Sequence, residues 1–244
     1  MEIDPVHHNP YLHDLVWKSF QHFPPGKLLD LPSGPGYFAK KAFDKGHDTV
    51  AGEIDPGLHV FNGLNYQKID MSEKLPFDTA SLDYIVSIEG IEHIENQFLF
   101  LRECSRVLKT GGRLFLTTPN VSSLENRLHF LATGFHEPPA APIQDGGGPL
   151  FFEHINLIPF QRLETFLRFS HFYIETLETY RLKKGSLLLY PFLFFVGKIH
   201  YWRLFRKHFK NHPRSLQYKK IFKQYLSREV LLGSHLIITA KKLK

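Results

Sequence analysis

The stretch LDLPSGPGYF, residues 29–38, combines residue types that can hold an anionic or nucleotide-like ligand. Gly34 and Gly36 let the backbone approach a ligand closely, because glycine has no Cβ. The helix expected to begin near Tyr37 offers unpaired N–H groups and the positive end of its dipole to a carboxylate or phosphate. Pro32 stands in place of the first glycine of such a turn; it removes one N–H but does not forbid the turn. The stretch therefore predicts a variant ligand-binding turn.

Acidic residues end the two short apolar runs that flank this turn. Asp30 ends the first run and Glu53 the second. Carboxylates are poor core residues, and each can accept two hydroxyl donors such as those of a ribose. The letters GPGYFA also fit the dinucleotide pattern G-x-G-x-x-G/A, so the turn alone is equally typical of a nicotinamide-dependent oxidoreductase. The ligand class stays open at this point.

Strands and helices alternate along most of the chain. Apolar residues at helical spacing predict helices over residues 9–23, 37–46, 95–112, 122–134 and 157–170. Short apolar runs bounded by turn residues predict strands over residues 27–31, 48–55, 66–71, 82–90, 112–120, 172–182 and 234–242. This alternation is typical of an α/β fold whose parallel sheet is covered by helices on both faces.

Residues 70–120 carry a series of motifs in a fixed order. The series begins with an acidic residue, Asp70, followed by L-P-F at 75–77 and an aspartate, Asp83. An E-H pair follows at Glu92-His93, then R-V-L-K-x-G-G at 106–112 and T-P-N at 118–120. This block resembles the corresponding region of class I S-adenosylmethionine-dependent methyltransferases, and the similarity covers roughly residues 27–182. A nicotinamide-dependent oxidoreductase would not require this series of motifs.

The resemblance implies an α/β, Rossmann-like fold with a doubly wound, seven-stranded mixed sheet and an antiparallel final strand. It also implies two parts of the chain. A methyltransferase domain would occupy residues 1–182 plus 233–244, and a basic, aromatic-rich helical insertion would occupy residues 183–232, before the last strand.

The resemblance further implies S-adenosyl-L-methionine as the cofactor, with its contacts carried over position by position. The positions for the methionine part are Asp30, Pro32, Gly34 and Gly36. Glu53 and Ile54 are the positions for the ribose, and Asp70 and Met71 are those for the adenine. Ser87 and Glu89 would line the route to the sulfonium. For Asp70 the structural alternative is that it caps a turn.

Methyl transfer from a sulfonium needs an aligned acceptor and exclusion of water, and it needs a base only where the acceptor loses a proton. His93, after the fourth strand, and His154, in a segment similar to one that borders the family's pocket, are the candidate catalytic residues. His136, in a Pro- and Gly-rich loop over residues 136–150, is a weaker candidate. Imidazole titrates near neutral pH and can accept such a proton. Because the chain has 15 histidines, a surface or structural role is the ordinary alternative for each.

The net charge of +6 is distributed unevenly. Between Arg181 and Arg228 there are 13 Lys/Arg and no Asp/Glu. The apolar run Leu187–Val196 is broken by Pro191 and is shorter than the ~20 residues of a spanning helix. Residues 186–228 instead suit an anionic membrane surface, with a lid or homodimer element as the alternative. Nucleic-acid binding is less favoured, because aliphatic residues have no use in phosphate contacts.

These features predict an S-adenosylmethionine-dependent methyltransferase that O-methylates a glycan, a lipid-linked acceptor or a comparable small acceptor. The alternatives are a catalytically silent S-adenosylmethionine-binding module and an RNA methyltransferase that uses the basic insertion. The start of the chain lacks an apolar signal segment, and the single cysteine, Cys104, cannot form an internal disulfide. We therefore expect a cytoplasmic protein, peripheral on the inner face of the membrane. No Cys/His cluster has zinc-site spacing, and we expect no metal.

Overall fold

The computed structural model describes residues 10–134 and 154–244. The predicted loop over residues 136–150, which includes His136, lies outside the described residues.

Seven strands form one sheet. Their bounds are β1 Lys27–Asp30, β2 Asp48–Glu53, β3 Asn65–Lys68, β4 Leu82–Ser87, β5 Leu108–Pro119, β6 Phe172–Glu178 and β7 His235–Lys242. The order across the sheet is β3-β2-β1-β4-β5-β7-β6. The strands from β3 to β5 run parallel, whereas β7 is antiparallel to both β5 and β6. The predicted seven-stranded mixed sheet with an antiparallel final strand is confirmed.

The strand order reverses at the middle of this sheet. From β1 the chain moves outward to β2 and β3, and it then returns to place β4 on the other side of β1. The connections after β1 and β4 therefore leave the sheet in opposite directions and open a crevice at the carboxyl ends of these two strands. Ligands of open α/β sheets bind at such a reversal.

Helices cover both faces of the sheet. Before β6 they are α1 Pro10–Phe20, α2 Tyr37–Asp44, α3 Gln97–Val107, α4 Leu124–Thr133 and α5 Phe160–Phe169. Successive residues of β1 enter different cores: Leu28 packs with side chains of α1 and α2, and Leu29 packs with those of α3 and α5. Because both faces are buried, each central strand reads as an apolar run.

Several strand boundaries differ from the predicted ones, and two of these differences have a visible cause. β5 begins at Leu108, within the residues 95–112 that were predicted to be helical, because Leu108 pairs with Leu82 and a bulge accommodates the glycines before pairing resumes at Arg113. β3 ends at Lys68, earlier than expected, because the Asp70 side chain accepts a hydrogen bond from the Ser72 N–H and the chain turns there.

Helices also form the segment between β6 and β7. They are α6 Tyr190–Leu204, a π-helical turn Phe205–Phe209, α7 Ser215–Tyr225 and α8 Arg228–Leu232. α8 is buried against α4, where Leu231 and Leu232 contact Leu124. The Asn120 side chain, just after β5, donates hydrogen bonds to the carbonyls of Val230 and Gly233, both at 2.9 Å. The end of the segment is thus tied to the sheet.

Across residues 10–134 and 154–244, no helix is both long enough and apolar enough to cross a membrane.

Candidate active site

The glycine-rich turn after β1 is pinned to both neighbouring strands. The Leu31 N–H donates to the Val86 carbonyl at 2.8 Å, and the Ser33 N–H donates to the Gly52 carbonyl at 2.9 Å. The peptide bond between Leu31 and Pro32 is cis. The Gly36 N–H then closes the turn on the Ser33 carbonyl at 2.9 Å. The predicted turn therefore forms, with Pro32 in it, at the carboxyl ends of β1, β2 and β4.

Gly36 meets two requirements that no other residue type would meet. Its φ is +92°, and it forms the N-cap of α2. A Cβ at this position would overlap the Tyr66 hydroxyl, which donates a hydrogen bond to the Pro35 carbonyl at 3.1 Å. The absence of a side chain therefore lets Tyr66 of β3 close the back of the turn.

Pro32 packs on the loop that follows β4. A Cβ built on Gly90 would overlap Pro32 Cδ and would lie 3.1 Å from Met71 Cε. The glycine at position 90 thus makes room for the ring that Pro32 introduces, and Met71, predicted near the adenine, borders the same place. The sequence contains this pairing only as two distant residues with no visible link.

Glu53 joins the turn to the end of β2. Its side chain is only 5 % exposed. Oε2 accepts from the Gly34 N–H at 2.7 Å, and Oε1 accepts from the Ile54 N–H at 2.8 Å. Burial raises the pKa of the Glu53 carboxyl, and the N–H groups of Ile54 and Gly34 oppose that rise. Because a carboxylate has about four lone-pair sites, Glu53 keeps acceptor capacity beyond these two bonds.

Asp30 lies deeper, at the end of β1. It is 1 % exposed, and its Oδ2 accepts from the Ala39 N–H, in the first turn of α2, at 3.0 Å. Burial raises the pKa of the Asp30 carboxyl well above its usual value, the Ala39 N–H opposes this rise, and the charge of Glu53 adds to it. Asp30 therefore fastens the N-terminus of α2 to the sheet, beside the turn where it was predicted to act.

Two buried hydroxyls at the site have no hydrogen-bond partner within the described part of the chain. They are Ser33 Oγ, in the turn, and Ser87 Oγ, at the end of β4. A buried hydroxyl without a partner is costly, and a polar ligand would satisfy it. Together with the Glu53 carboxylate and the narrow turn at Gly36, these hydroxyls give a site that fits an amino acid and ribose ligand such as S-adenosylmethionine.

The side chains of Asp70 and Glu89 have other partners. Asp70 is exposed, and its Oδ1 accepts from the Ser72 N–H at 2.7 Å, which is the turn-capping alternative. Glu89 has a φ of +50°, and its Oε1 accepts from the Thr117 hydroxyl at 2.8 Å. Its other carboxylate oxygen lies 3.3 Å from Nε2 of His235. The acidic side chain of Glu89 therefore engages β5 and β7.

His93 and His154 lie next to each other in the fold, although more than two secondary-structure elements separate them along the chain. Their ring centroids are 4.9 Å apart. Ligand atoms of these two histidines and of Glu92 all lie within 4.8 Å of one another, a group that could hold a metal ion. Glu92 is buried, and its Oε2 accepts from the Thr118 hydroxyl at 3.1 Å. The Glu92 carbonyl accepts from the Asn156 N–H at 3.0 Å and so holds the segment that carries His154.

Glu92 is the residue of this group that reasoning from the sequence missed. The signal available was its position next to His93, because a carboxylate beside an imidazole is a common metal-ligand and acid-base pair. Recognition of the group also required His154, and only the folded chain shows that it comes within reach.

Comparisons with known proteins agree with this fold. Residues 29–116 match a family model described as "Methyltransferase domain". The chain is 30% identical over 113 residues to a "Probable S-adenosylmethionine-dependent methyltransferase" of Mycolicibacterium smegmatis, covering 44% of each chain. It is 29% identical over 133 residues to the mitochondrial ubiquinone biosynthesis O-methyltransferase of Rattus norvegicus, covering 47% of this chain and 39% of that one.

A solved structure shares the fold over almost the whole chain. It is a SAM-dependent methyltransferase from Archaeoglobus fulgidus, with a TM-score of 0.58 and 16% identity, covering 94% of this chain and 92% of the other. The sequence matches to the curated relatives, in contrast, span less than half of their length. The sheet order and the site at its reversal define the class I methyltransferase fold. Residues 29–116 thus resemble a methyltransferase domain, and the chain shares its fold with a solved S-adenosylmethionine-dependent methyltransferase.

Proposed function

We propose that this protein is an S-adenosylmethionine-dependent methyltransferase that methylates an oxygen atom of a glycan, a lipid-linked acceptor or a comparable small acceptor. The observation that carries the proposal is the buried Glu53 carboxylate, bonded to the Gly34 N–H at 2.7 Å at the reversal of the strand order. This contact sets an acceptor of hydroxyl protons beside a turn that admits a ligand closely.

The residues that would hold the cofactor lie on three connections. Glu53 accepts the ribose hydroxyls, and the N-terminus of α2 faces the carboxylate of the methionine part. The hydroxyls of Ser33 and Ser87 supply further hydrogen bonds, and Met71 borders the adenine. Bound S-adenosylmethionine supplies an activated methyl group on a sulfonium, so the chain's own task is to align the acceptor and exclude water.

His93 and His154 act at the acceptor. A hydroxyl acceptor loses its proton as the methyl group arrives, and a ring nitrogen of this pair receives that proton. Glu92, held by Thr118, fixes the short 3₁₀ turn Ile91–His93 that carries the first of the two rings. The rat relative is an O-methyltransferase by its name, which supports oxygen as the acceptor atom. The single, buried Cys104 is compatible with a reducing compartment, and we propose the cytoplasm.

Calorimetry with S-adenosylmethionine, S-adenosylhomocysteine and NAD tests the cofactor class. We expect binding of the first two and none of NAD. Binding of NAD alone would reject the proposal in favour of an oxidoreductase. A screen with methyl-labelled cofactor against lipid, glycan and RNA fractions then identifies the acceptor. Cofactor binding without transfer to any fraction would indicate a silent binding module, and label in RNA would indicate the RNA methyltransferase.

The role of the histidine pair is tested by His93→Asn and His154→Asn, with His129→Asn on α4 as the control. We expect each of the first two to reduce kcat by about 100-fold, within the usual range for loss of a general base, with cofactor affinity unchanged. Activity of the wild type is also measured with a chelator and with added Mg²⁺ or Mn²⁺. Loss with the chelator and recovery with the cation would show that Glu92, His93 and His154 act as metal ligands instead of as a base.

A further inference from the structure

The segment from Arg181 to Arg228 keeps its positive charge almost entirely without acidic partners. It contains 13 Lys/Arg and no Asp/Glu. Within residues 10–134 and 154–244, the ion pair it makes is the one between Lys183 and Glu125, at 3.4 Å. Other cations lie over aromatic rings: Arg206 is 4.9 Å from the centroid of Trp202, and Lys219 is 5.2 Å from that of Phe205. The segment therefore presents charge that an anionic partner could neutralise.

α6 is apolar on two sides. Its inner side, with Tyr190, Leu193 and Phe194, packs on α4 and α8. Its outer side carries a row at three- and four-residue spacing, which we call the α6 ridge: Phe192, Phe195, Ile199 and Trp202. Phe192 is 66% exposed, Phe195 62% and Trp202 55%. Apolar patches of this kind are uncommon on soluble surfaces and mark interaction sites.

A cavity of about 430 Å³ lies between α6, the π-helical turn and α7. We call it the α6–α7 cavity. Its apolar wall consists of Phe194, Tyr201, Trp202, Phe205, Phe222 and Leu226. Three lysines also line it: Lys198, Lys219 and Lys223. The volume is that of a small-molecule site. Trp202 belongs to both the cavity and the α6 ridge, so the two surfaces are continuous.

We propose that the α6–α7 cavity binds the hydrocarbon chain of an anionic phospholipid, and that the α6 ridge lies on the membrane surface from which the lipid comes. The aromatic wall matches a hydrocarbon chain, and the three lysines match a phosphate head group. The apolar ridge and the absence of acidic residues match an interfacial helix on an anionic bilayer. RNA would use the lysines but not the ridge. The inference does not depend on the proposed methyl transfer.

The α7 side of the cavity packs against α5, α6 and β6. Tyr225 of α7 packs edge-on against Phe160 of α5, with centroids 5.6 Å apart, and Tyr201 stacks on Phe222 at 4.8 Å. Lys220 lies 4.2 Å from the ring centroid of Tyr173 in β6. These contacts anchor α7 to the domain while Lys219 and Lys223 stay at the cavity.

Flotation of the full chain with vesicles tests the proposal. We expect binding to phosphatidylcholine vesicles containing phosphatidylglycerol, and none to pure phosphatidylcholine. The variant Lys198→Gln, Lys219→Gln, Lys223→Gln should lose about 30-fold in affinity. The control Lys207→Gln, Lys210→Gln, Arg214→Gln removes the same charge away from the cavity and should lose about threefold. Equal losses would show that only net charge attracts the protein, and would overturn the cavity's role.

Insertion of the lipid hydrocarbon chain into the cavity is measured by the fluorescence of Trp202. The variant Trp17→Phe is used, because it leaves Trp202 as the one tryptophan. We expect its fluorescence to be quenched by phosphatidylglycerol with brominated chains. Binding without quenching would overturn the proposal. So would a response to single-stranded RNA without one to vesicles, or a stable dimer in sedimentation that does not float. Circular dichroism and thermal unfolding of each variant confirm that the fold is retained.

Discussion

At the carboxyl edge of the sheet, Asp30 and Glu53 are almost fully buried, and backbone N–H groups hold both of them. In the segment between Arg181 and Arg228 the charges have the opposite sign, and they lie among aromatic rings and solvent. In the first region the acidic side chains are buried and bonded to the backbone, and in the second the basic side chains remain available at the surface. The difference predicts that the two regions bind different ligands independently.

The largest effect is expected for Glu53→Ala, which should weaken cofactor binding at the first region and leave the second unchanged. It removes the acceptor of the Gly34 and Ile54 N–H groups and of the proposed ribose hydroxyls, so cofactor affinity should fall by about 100-fold, or about 2.7 kcal/mol. Calorimetry with S-adenosylhomocysteine measures the loss. The exposed Glu73→Ala is the control and should change nothing. Vesicle flotation of Glu53→Ala should match that of the wild type, and a parallel loss there would disprove independence of the two regions.

Gly36→Ala should come next, with a loss of about 2 kcal/mol in the free energy of unfolding. A side chain at φ +92° is strained, and its Cβ would also displace the Tyr66 hydroxyl. Gly63→Ala is the matched control, because its φ is +85° and a Cβ there would meet nothing within 4 Å. Urea denaturation should therefore show a smaller loss, about 1 kcal/mol, for Gly63→Ala. Equal losses would mean that strain alone accounts for the effect.

Arg106→Ala contrasts a paired charge with an unpaired one. Arg106 forms an ion pair with Glu103 at 2.7 Å and donates to the carbonyls of Leu75 and Phe77 at 2.9 and 2.8 Å. Its loss leaves the Glu103 carboxylate without its cation and the Phe77 carbonyl without this donor, whereas the Leu75 carbonyl keeps the Phe77 N–H. The loss should cost about 1–2 kcal/mol of unfolding free energy. Lys207→Ala, in the basic segment, should cost less than about 0.5 kcal/mol. The same denaturation measurement on both variants checks the contrast.

The effect of Asp30→Asn should appear as a pH dependence of stability. Because burial raises the pKa of the Asp30 carboxyl in the folded state, its protonated form is favoured by folding. That contribution is complete below the unfolded pKa of about 3.9 and is lost as the pH rises through the raised folded pKa. Asparagine stays neutral and still accepts from the Ala39 N–H. Without cofactor, the stability of Asp30→Asn relative to the wild type should therefore increase from about pH 5 to about pH 8.

A constant difference between Asp30→Asn and the wild type across that pH range would show that Asp30 is charged in the folded protein throughout. The same thermal unfolding scans at each pH also detect a general loss of structure, because such a loss would lower the stability of the variant equally at every pH.

Local pattern was sufficient for the strands and helices of the domain, since apolar periodicity reflects which faces are buried. It was not sufficient to predict which of two possible partners a side chain contacts. Asp70 carries the expected residue type but caps its own turn, and Glu89 bonds Thr117 across the sheet. Leu108 extends β5 because it pairs with Leu82, and the residues around Leu108 do not by themselves predict that pairing.

The amino-acid sequence by itself determined the class of fold, the position of the glycine-rich turn after β1 and the charge of the segment between β6 and β7. Each of these depends on residue type and short-range order, which are properties of the chain before it folds. The tertiary structure decided that Gly90 accommodates Pro32 and that Glu92, His93 and His154 form one group. It also decided that three lysines line an aromatic cavity. These depend on contacts between residues far apart in the chain, and strand order, not sequence order, brings such residues together.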